Sequence, residues 1–284
     1  MTKYCVMYNP LSNNSTGLEA AKGFESVVDG GEFEYKSVLE IKDYAEYLES
    51  VPSEVTMVLA GGDGTINKFV NLLGDYEVKR DILYFPAGTG NDFMHDISED
   101  GSLKYVKLNP YIVNLPRVEI DGKISKFING IGYGIDGYCC EVGDELRKKS
   151  DKPINYAGIA IKGLLFHFKP RTATINVDGA IRTFKGCWLA PTMKGRFYGG
   201  GMNAAPLQDR LDKDRKLTTM VMYGKGKIAT LMVFPSIFKG EHIKHTDMCT
   251  TISGYNIEVS FDTPCALQID GETVLNVSSY KVYM

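Results

Sequence analysis

Paired cysteine spacing is the first thing this sequence lacks. Its six cysteines, at 5, 139, 140, 187, 249 and 265, never form Cys-x-x-Cys or another zinc-binding spacing. Cys139 and Cys140 are neighbours and are not expected to bridge each other. All six are expected to be reduced thiols, mostly in the interior of a cytosolic protein. Long hydrophobic runs are missing too. The best candidate, 154–168, is interrupted by Lys162 and is too short to span a bilayer. No signal peptide is expected, because the opening Met1-Thr-Lys-Tyr-Cys-Val-Met-Tyr8 already reads as a strand. Excess positive charge is absent: the net charge is -3. That removes a general basic surface for nucleic acid. It also removes membrane recruitment by bulk charge, while leaving room for a local basic patch. Repeats, low-complexity stretches and a Pro/Ser-rich linker are lacking as well. What remains is ordinary for a soluble globular protein, 44% hydrophobic and 24% charged. At 284 residues the chain is comfortable as two domains.

The first third alternates between strand and helix. Strands are predicted at 3–8, 33–38, 55–60 and 82–85, with helices at 16–28 and 43–49. Ile66, Phe69, Val70 and Leu73 follow the i, i+3, i+4, i+7 spacing of an amphipathic helix. Such alternation predicts a parallel sheet with helices on both faces. Right-handed crossovers then place every strand-to-helix loop at one edge, where ligands bind in open α/β sheets. After about residue 112 the pattern becomes antiparallel. Asp121-Gly122, Asp178-Gly179 and Asp270-Gly271 each separate two strand-like runs, a hairpin signal. Helical insertions are predicted at 138–149 and 155–168, and a short hinge at 109–114.

The strand at 55–60 ends in Gly61-Gly-Asp-Gly-Thr65. Glycines let a backbone approach a ligand with no Cβ in the way. The following helix turns its N–H groups and positive dipole end toward that place, which suits phosphate. Asp63 would repel phosphate. It makes sense there acting through Mg²⁺ or accepting a proton from an attacking hydroxyl. Alternatively it is an N-cap and the glycines a tight turn. The next strand ends similarly, in Pro86-Ala-Gly-Thr-Gly-Asn-Asp-Phe93, and the first in Asn9-Pro-Leu-Ser-Asn-Asn14. Each alone reads as an Asx turn. Three at one sheet edge, two with an acid after glycines, point to one site.

These motifs resemble the diacylglycerol kinase catalytic family, which includes bacterial lipid kinases, sphingosine kinases and ceramide kinases. Gly61-Gly-Asp-Gly-Thr65 alone is shared with NAD kinases and phosphofructokinases. The resemblance continues, in the family's order, through Asn129-Gly-Ile-Gly-Tyr-Gly-Ile-Asp136, Tyr198-Gly-Gly-Gly-Met-Asn-Ala-Ala-Pro206 and Ile269-Asp-Gly-Glu272. It implies an N-terminal three-layer α/β nucleotide-binding domain over 1–113 and a C-terminal antiparallel β-sandwich over 114–277. The final strand, 278–284, returns to the first domain, and the active site lies between the two. It implies ATP as phosphoryl donor, Mg²⁺, and a lipid acceptor with a free hydroxyl, diacylglycerol-like in the first instance. By position, Asn9, Pro10, Leu11, Ser12, Asn13, Gly61, Gly62, Asp63, Gly64, Thr65, Ile66 and Asn67 hold the nucleotide phosphates. Gly88, Thr89, Gly90 and Asn91 join them. Asp63, Asp92 and Asp136 form an acidic, Mg²⁺-linked network, and Glu272, with Asp270 nearby, accepts the hydroxyl proton. Asp63→Ala is therefore expected to abolish transfer with the fold intact. Two bland readings stand beside these: Asp270-Gly271 as one more hairpin turn, and Asp136 as a helix cap.

Four positions depart from the family pattern. Asn13 stands where the first loop usually has glycine, and His95 where an arginine often follows. Leu39 falls near a place where a threonine often contacts the nucleotide. In bacterial members a structural Mg²⁺ sits in a loop whose spacing Leu211-Asp-Lys-Asp-Arg-Lys216 matches. Asp214 would be its side-chain ligand, and Leu211 and Lys216 would give carbonyls. Arg215 replaces the glycine there, so a plain charged surface turn is the other reading. On the lipid side, Tyr156, Ile159, Leu164, Phe166 and Phe168 follow the basic run Arg147-Lys-Lys-Ser-Asp-Lys152. This is either a membrane-facing amphipathic helix or a core helix with a solvated lead-in, and Phe234, Ile237 and Phe238 pose the same choice. The expected location is cytoplasmic with transient, peripheral membrane contact. Oligomeric state is not readable. The competing functions are a soluble-metabolite kinase related to NAD kinase and a non-catalytic nucleotide- or lipid-binding protein.

Overall fold

The computed structural model describes residues 1–149 and 154–284. The chain forms two compact units, Met1–Leu115 and Pro116–Met284. The boundary falls two residues beyond the expected one.

The first unit runs β1 (Lys3–Tyr8), α1 (Ser12–Ser15), α2 (Gly17–Lys22), β2 (Glu32–Ser37), α3 (Tyr44–Ser50), β3 (Val55–Gly61), α4 (Asp63–Leu72), β4 (Ile82–Pro86), α5 (Asp92–Ile97), β5 (Val106–Lys107) and α6 (Asn109–Ile112). The sheet order is β2-β1-β3-β4-β5. The first four strands are parallel, and β5 adds an antiparallel edge that the sequence did not announce. Alternation along β1 and β3 divides the core. Val6, Val58 and Ala60 pack with Ala21 and Phe24 on one face. Cys5 takes the other face, where its Sγ meets Tyr47 Oη of α3 at 3.1 Å. Tyr44 and Phe69 join α3 and α4 edge to face, 5.1 Å between centroids. The expected single helix over 16–28 stops at Lys22 and tightens into a 3₁₀ turn, Gly23–Val27, which buries Phe24. Register pairs Tyr8 with Ala60 and Gly61 with Pro86. The loops that follow β1, β3 and β4 therefore leave the sheet side by side.

The second unit contains β6 (Arg117–Ile120), β7 (Lys123–Lys126), β8 (Gly130–Tyr133), α7 (Ile135–Arg147), α8 (Tyr156–Lys162), β9 (Arg171–Val177), β10 (Ala180–Cys187), β11 (Thr192–Met193), β12 (Phe197–Tyr198), β13 (Met202–Asn203), β14 (Leu217–Met222), α9 (Lys227–Val233), β15 (Cys249–Gly254), β16 (Asn256–Ile269) and β17 (Glu272–Tyr283). It is an antiparallel β-sandwich. The main path is β15-β14-β11-β8-β16-β17-β6-β7, with β9 and β10 branching from β16. All three Asp-Gly turns put both residues in the left-handed region. Asp121, Asp178 and Asp270 have φ of 49, 51 and 46°, and their glycines 75, 91 and 92°. That is the backbone of a tight type I′ hairpin.

Residues 278–284 do not return to the first unit. They continue β17, which pairs with β16 from Tyr283↔Asn256 onward and with β6 through Lys281↔Glu119. Val277, Tyr280 and Val282 are buried in the second unit's core, and this fixes the strand there. The predicted helix over 155–168 splits at Gly163 into α8 and a wider π turn, Gly163–His167. Ile159, Leu164 and Phe168 are buried, so the core reading holds for them, whereas Phe166 is 72% exposed. Within the basic run, 150–152 lie outside the described residues. Arg147 bonds Asp144 and Tyr156. No described helix is long and apolar enough to cross a membrane. All six cysteines are unpaired.

Candidate active site

Three loops at the first unit's sheet edge are bonded into one platform. Asp63 opens α4, with both carboxylate oxygens turned toward the next loop. The Asp92 N–H donates to Oδ2 at 2.8 Å and the Phe93 N–H to Oδ1 at 3.0 Å. In return the Asp63 N–H donates to the Gly90 carbonyl at 3.0 Å. Asp63 thus caps α5, not its own helix, and joins the two glycine loops. The glycines are needed because the backbones touch. A Cβ on Gly88 would stand 2.4 Å from Gly62 Cα, and one on Gly62 would stand 2.6 Å from the Gly90 carbonyl oxygen. Tyr84, fully buried on β4, locks the pair from below. Its hydroxyl donates to the Gly61 carbonyl at 2.9 Å and lies 3.3 Å from Asn91 Oδ1. Burial, helped by the nearby Asp63 charge, holds this phenol protonated. Asn91 in turn donates to the Gly88 carbonyl at 2.7 Å.

The first loop joins through Thr65. Asn9 Nδ2 donates to Thr65 Oγ1 at 3.3 Å, and Ser12 Oγ lies 3.4 Å from the same hydroxyl. Asn9 Oδ1 accepts the Leu11 N–H. Asn13 replaces the usual glycine without loss of the turn, because it adopts φ 50°, a left-handed conformation that asparagine tolerates. The platform has the attributes of a phosphate cradle: bare backbone, hydroxyls, and a helix N-terminus. One expectation changes. The Asp63 N–H serves loop packing, so it is not a ligand donor.

Mg²⁺ normally binds through one or two carboxylates plus substrate phosphates and water. Asp63 and Asp92 are both nearly buried, at 8 and 7% exposure. Each Asp63 oxygen accepts one N–H and keeps further lone pairs. Asp63 thus keeps the acceptor capacity that an ion brought in with a nucleotide would need. Among the described residues no three His, Cys, Asp or Glu side chains group as a ready-made metal cage. The loop Leu211–Lys216 does not fit a structural Mg²⁺. Asp214 Oδ2 lies 3.8 Å from Lys216 Nζ, and the Lys216 carbonyl accepts from Gln208 at 2.7 Å. Arg215 does keep the glycine-like backbone, at φ 55°. Two of the three donors expected there, the Asp214 carboxylate and the Lys216 carbonyl, are turned to internal bonds.

In the second unit, Asp270 is a clamp. Its carboxylate accepts the N–H groups of Ile128, Asn129 and Gly130 at 2.6, 2.8 and 3.0 Å. Those residues open the segment that runs to Asp136. Glu272 begins β17 and is exposed. Asp136 lies in the first turn of α7, 6% exposed, and accepts a hydrogen bond from the Tyr198 hydroxyl. Burial lifts its carboxyl to about 7, against the pull of that bond. It is not a helix cap in the side-chain sense, and Tyr198, missed at first, is its partner. Tyr198 directly precedes the Gly199–Gly201 run, so its position was a usable signal. Arg210, also missed, donates to the Ile128 carbonyl and to Asn129 Oδ1. The glycines of 129–137 answer close approach: a Cβ on Gly137 would stand 1.8 Å from the Ala266 carbonyl oxygen.

Asp136 makes stability depend on pH. Below its ordinary 3.8 both folded and unfolded chains hold the proton. Between 3.8 and about 7 only the folded chain holds it, so stability falls as pH rises. Above that window the loss is complete. Asp136→Asn should remove about one proton's worth of this slope. Urea unfolding across the window measures it, and an unchanged slope would show that Asp136 does not titrate there.

Residues 3–114 match the family model described as the diacylglycerol kinase catalytic domain, and residues 129–281 match the YegS C-terminal NAD kinase beta sandwich-like domain. YtlR of Bacillus subtilis (strain 168), a candidate lipid kinase by name, is 27% identical over 244 residues, 75% of each chain. The diacylglycerol kinase of Mycobacterium tuberculosis (strain H37Rv) is 24% identical over 291 residues, covering 93% of this chain and 90% of its own. A crystal structure titled as a diacylglycerol kinase from Bacillus anthracis superposes with a TM-score of 0.62 at 17% identity, over 99% of this chain and 93% of that one. That last likeness concerns the fold. With both units matched in order, the chain belongs to the diacylglycerol kinase catalytic-domain family.

Proposed function

We propose that this protein is an ATP-dependent lipid kinase that transfers the γ-phosphate to a lipid hydroxyl, with a diacylglycerol-like acceptor. The observation that carries the reading is the interlocked platform of Asn9–Asn13, Gly61–Asn67 and Gly88–Asn91. Its Asp63 is held by two backbone N–H groups. Phosphoryl transfer asks little covalent chemistry of a protein. Positioning and electrostatics supply most of the rate. The glycine backbones and the hydroxyls of Ser12, Thr65 and Thr89 hold the nucleotide phosphates. Asp63 and Asp92 would hold Mg²⁺, which neutralises charge gathering on the transferred group. Glu272 accepts the proton of the acceptor hydroxyl. A peripheral, transient contact with a lipid surface would give access to the acceptor.

Incubating the purified protein with γ-labelled ATP and a lipid panel tests the reading. Label is expected in an organic-extractable product. Transfer to NAD in place of lipid, or nucleotide binding with no transfer to any acceptor, would overturn it. Glu272→Gln should lower turnover by roughly a hundredfold or more, the range of general-base catalysis. Unaltered turnover would remove Glu272 from that role.

A further inference from the structure

A polar cavity of about 310 Å³ opens in the second unit. Its walls come from α7, from the extended chain that enters β9, and from β16 and β17 around Cys265 and Asn276. Its nearest lining residue on β16, Ala266, lies four residues before Asp270, roughly 13 Å at strand rise. On α7 it uses Tyr138 and Glu141. Tyr138 points about 200° around the helix from Asp136.

Three basic side chains, His167, Lys169 and Arg171, line it at every second position. Lys169 and Arg171 lead into and open β9, whereas His167 closes the π turn. Phe168, between His167 and Lys169 in the chain, is buried and lines the cavity as well. The Arg171 guanidinium lies over the Phe168 ring, 5.9 Å from its centroid, and its Nε is buried with no hydrogen-bond partner. Among the described residues neither Lys169 nor Arg171 makes an ion pair. The natural acceptor of a guanidinium is a carboxylate or phosphate. The opposite wall has been opened by a bulge. β16 and β17 shift register between Cys265 and Leu267, and Asn276 sits there at φ 57°. Bulges are over-represented at sheet edges, at barrel rims and beside active sites. Glu141 is the one acid in the lining. It can only accept hydrogen bonds, so it selects a ligand that donates them.

We propose that this cavity is a second anion site, which takes a phosphate ester bearing free hydroxyls, of the phosphoglycerol kind. Lys169 and Arg171 hold the phosphate, and Glu141 accepts from the hydroxyls. A soluble phosphoglycerol and the headgroup of an anionic lipid share this chemistry. The lone tryptophan, Trp188, packs 6.2 Å from Phe168 and reports on the cavity.

Glycerol 3-phosphate is titrated into the full chain while Trp188 emission is followed. Inorganic phosphate is run in parallel, and phosphatidylglycerol vesicles are compared with phosphatidylcholine vesicles. Lys169→Gln, at an exposed position, and Arg171→Gln are each expected to weaken glycerol 3-phosphate binding by about tenfold or more. Glu141→Gln should erase its preference over inorganic phosphate. Binding of phosphatidylglycerol vesicles alone, lost in Lys169→Gln, would identify a lipid headgroup as the source. The proposal is overturned if Lys169→Gln binds every probe as the parent does. It is also overturned if no probe binds, or if glycerol 3-phosphate and inorganic phosphate bind equally in the parent. Transfer from ATP is assayed separately, so kinase activity without cavity binding rejects this site alone.

Discussion

Replacing Asp63 by alanine should lower phosphoryl transfer by about a hundredfold or more and cost the first unit about 3 kcal/mol. The sequence alone suggested loss of transfer with the fold intact. The structure revises the second half. Asp63 Oδ1 and Oδ2 each accept a backbone N–H from the start of α5, at 3.0 and 2.8 Å. Hydrogen bonds to a charged group contribute about 1.5–3 kcal/mol each, and the orphaned N–H groups would be nearly buried. Without them α5 loses its cap, and the Gly88–Asn91 loop is freed from the Gly61–Thr65 loop. Asparagine separates the two effects. Its single Oδ1 can keep one bond, while its amide nitrogen meets the second N–H as donor against donor. Asp63→Asn should therefore fall between parent and alanine in stability, and near alanine in turnover. Urea unfolding with a lipid-transfer assay on both variants decides this. Parent-like stability in Asp63→Ala would deny the clamp, and near-normal turnover would deny the site.

What could be read beforehand was local or ordered along the chain. Hydrophobic spacing placed Ile66, Phe69 and Val70 on the buried side of α4, where they lie. Three Asp-Gly pairs announced three hairpins. The glycine motifs, in their order, pointed to the family and hence to both domains. Contacts between distant residues were not legible. Asp63 meets residues 29 and 30 positions later, and Tyr198 meets Asp136 across 62. No periodicity encodes such partners. Nor could two-residue strands such as β5, β11 and β13 be seen, because alternation needs four or more residues to register. The π turn after Gly163 escaped for a different reason. A Cβ on Gly163 would stand 2.7 Å from the Tyr138 ring, so tertiary packing on α7 shapes the chain there. The return of 278–284 to the first unit came from family resemblance alone. It lost to the burial of Val277, Tyr280 and Val282 in the second core.

The three Asp-Gly turns provide a graded test of what Asp270 does. All three adopt the same backbone, so asparagine, which accepts a left-handed φ, keeps each turn intact. Only the carboxylate is then at issue. Among the described residues nothing hydrogen-bonds the Asp121 side chain, and it is exposed, so Asp121→Asn should leave stability unchanged. Asp178 accepts from the N–H groups of Tyr255 and Asn256, the latter at 2.8 Å, and these bonds lower its carboxyl pKa. The site is exposed, so Asp178→Asn should cost under about 1 kcal/mol. Asp270 accepts three N–H groups, from Ile128, Asn129 and Gly130, and is half-buried. Asp270→Asn should cost about 3 kcal/mol, because one amide oxygen cannot serve three donors spread over two carboxylate oxygens. The same change releases the start of the segment that leads to Asp136, so turnover should fall with it. Rescue of turnover under stabilising osmolyte would mark Asp270 as a positioning residue. Lost turnover at parent stability would instead put its carboxylate in contact with substrate. Unfolding midpoints of the three variants, measured side by side, give the grading, and equal costs at 121 and 270 would refute the clamp.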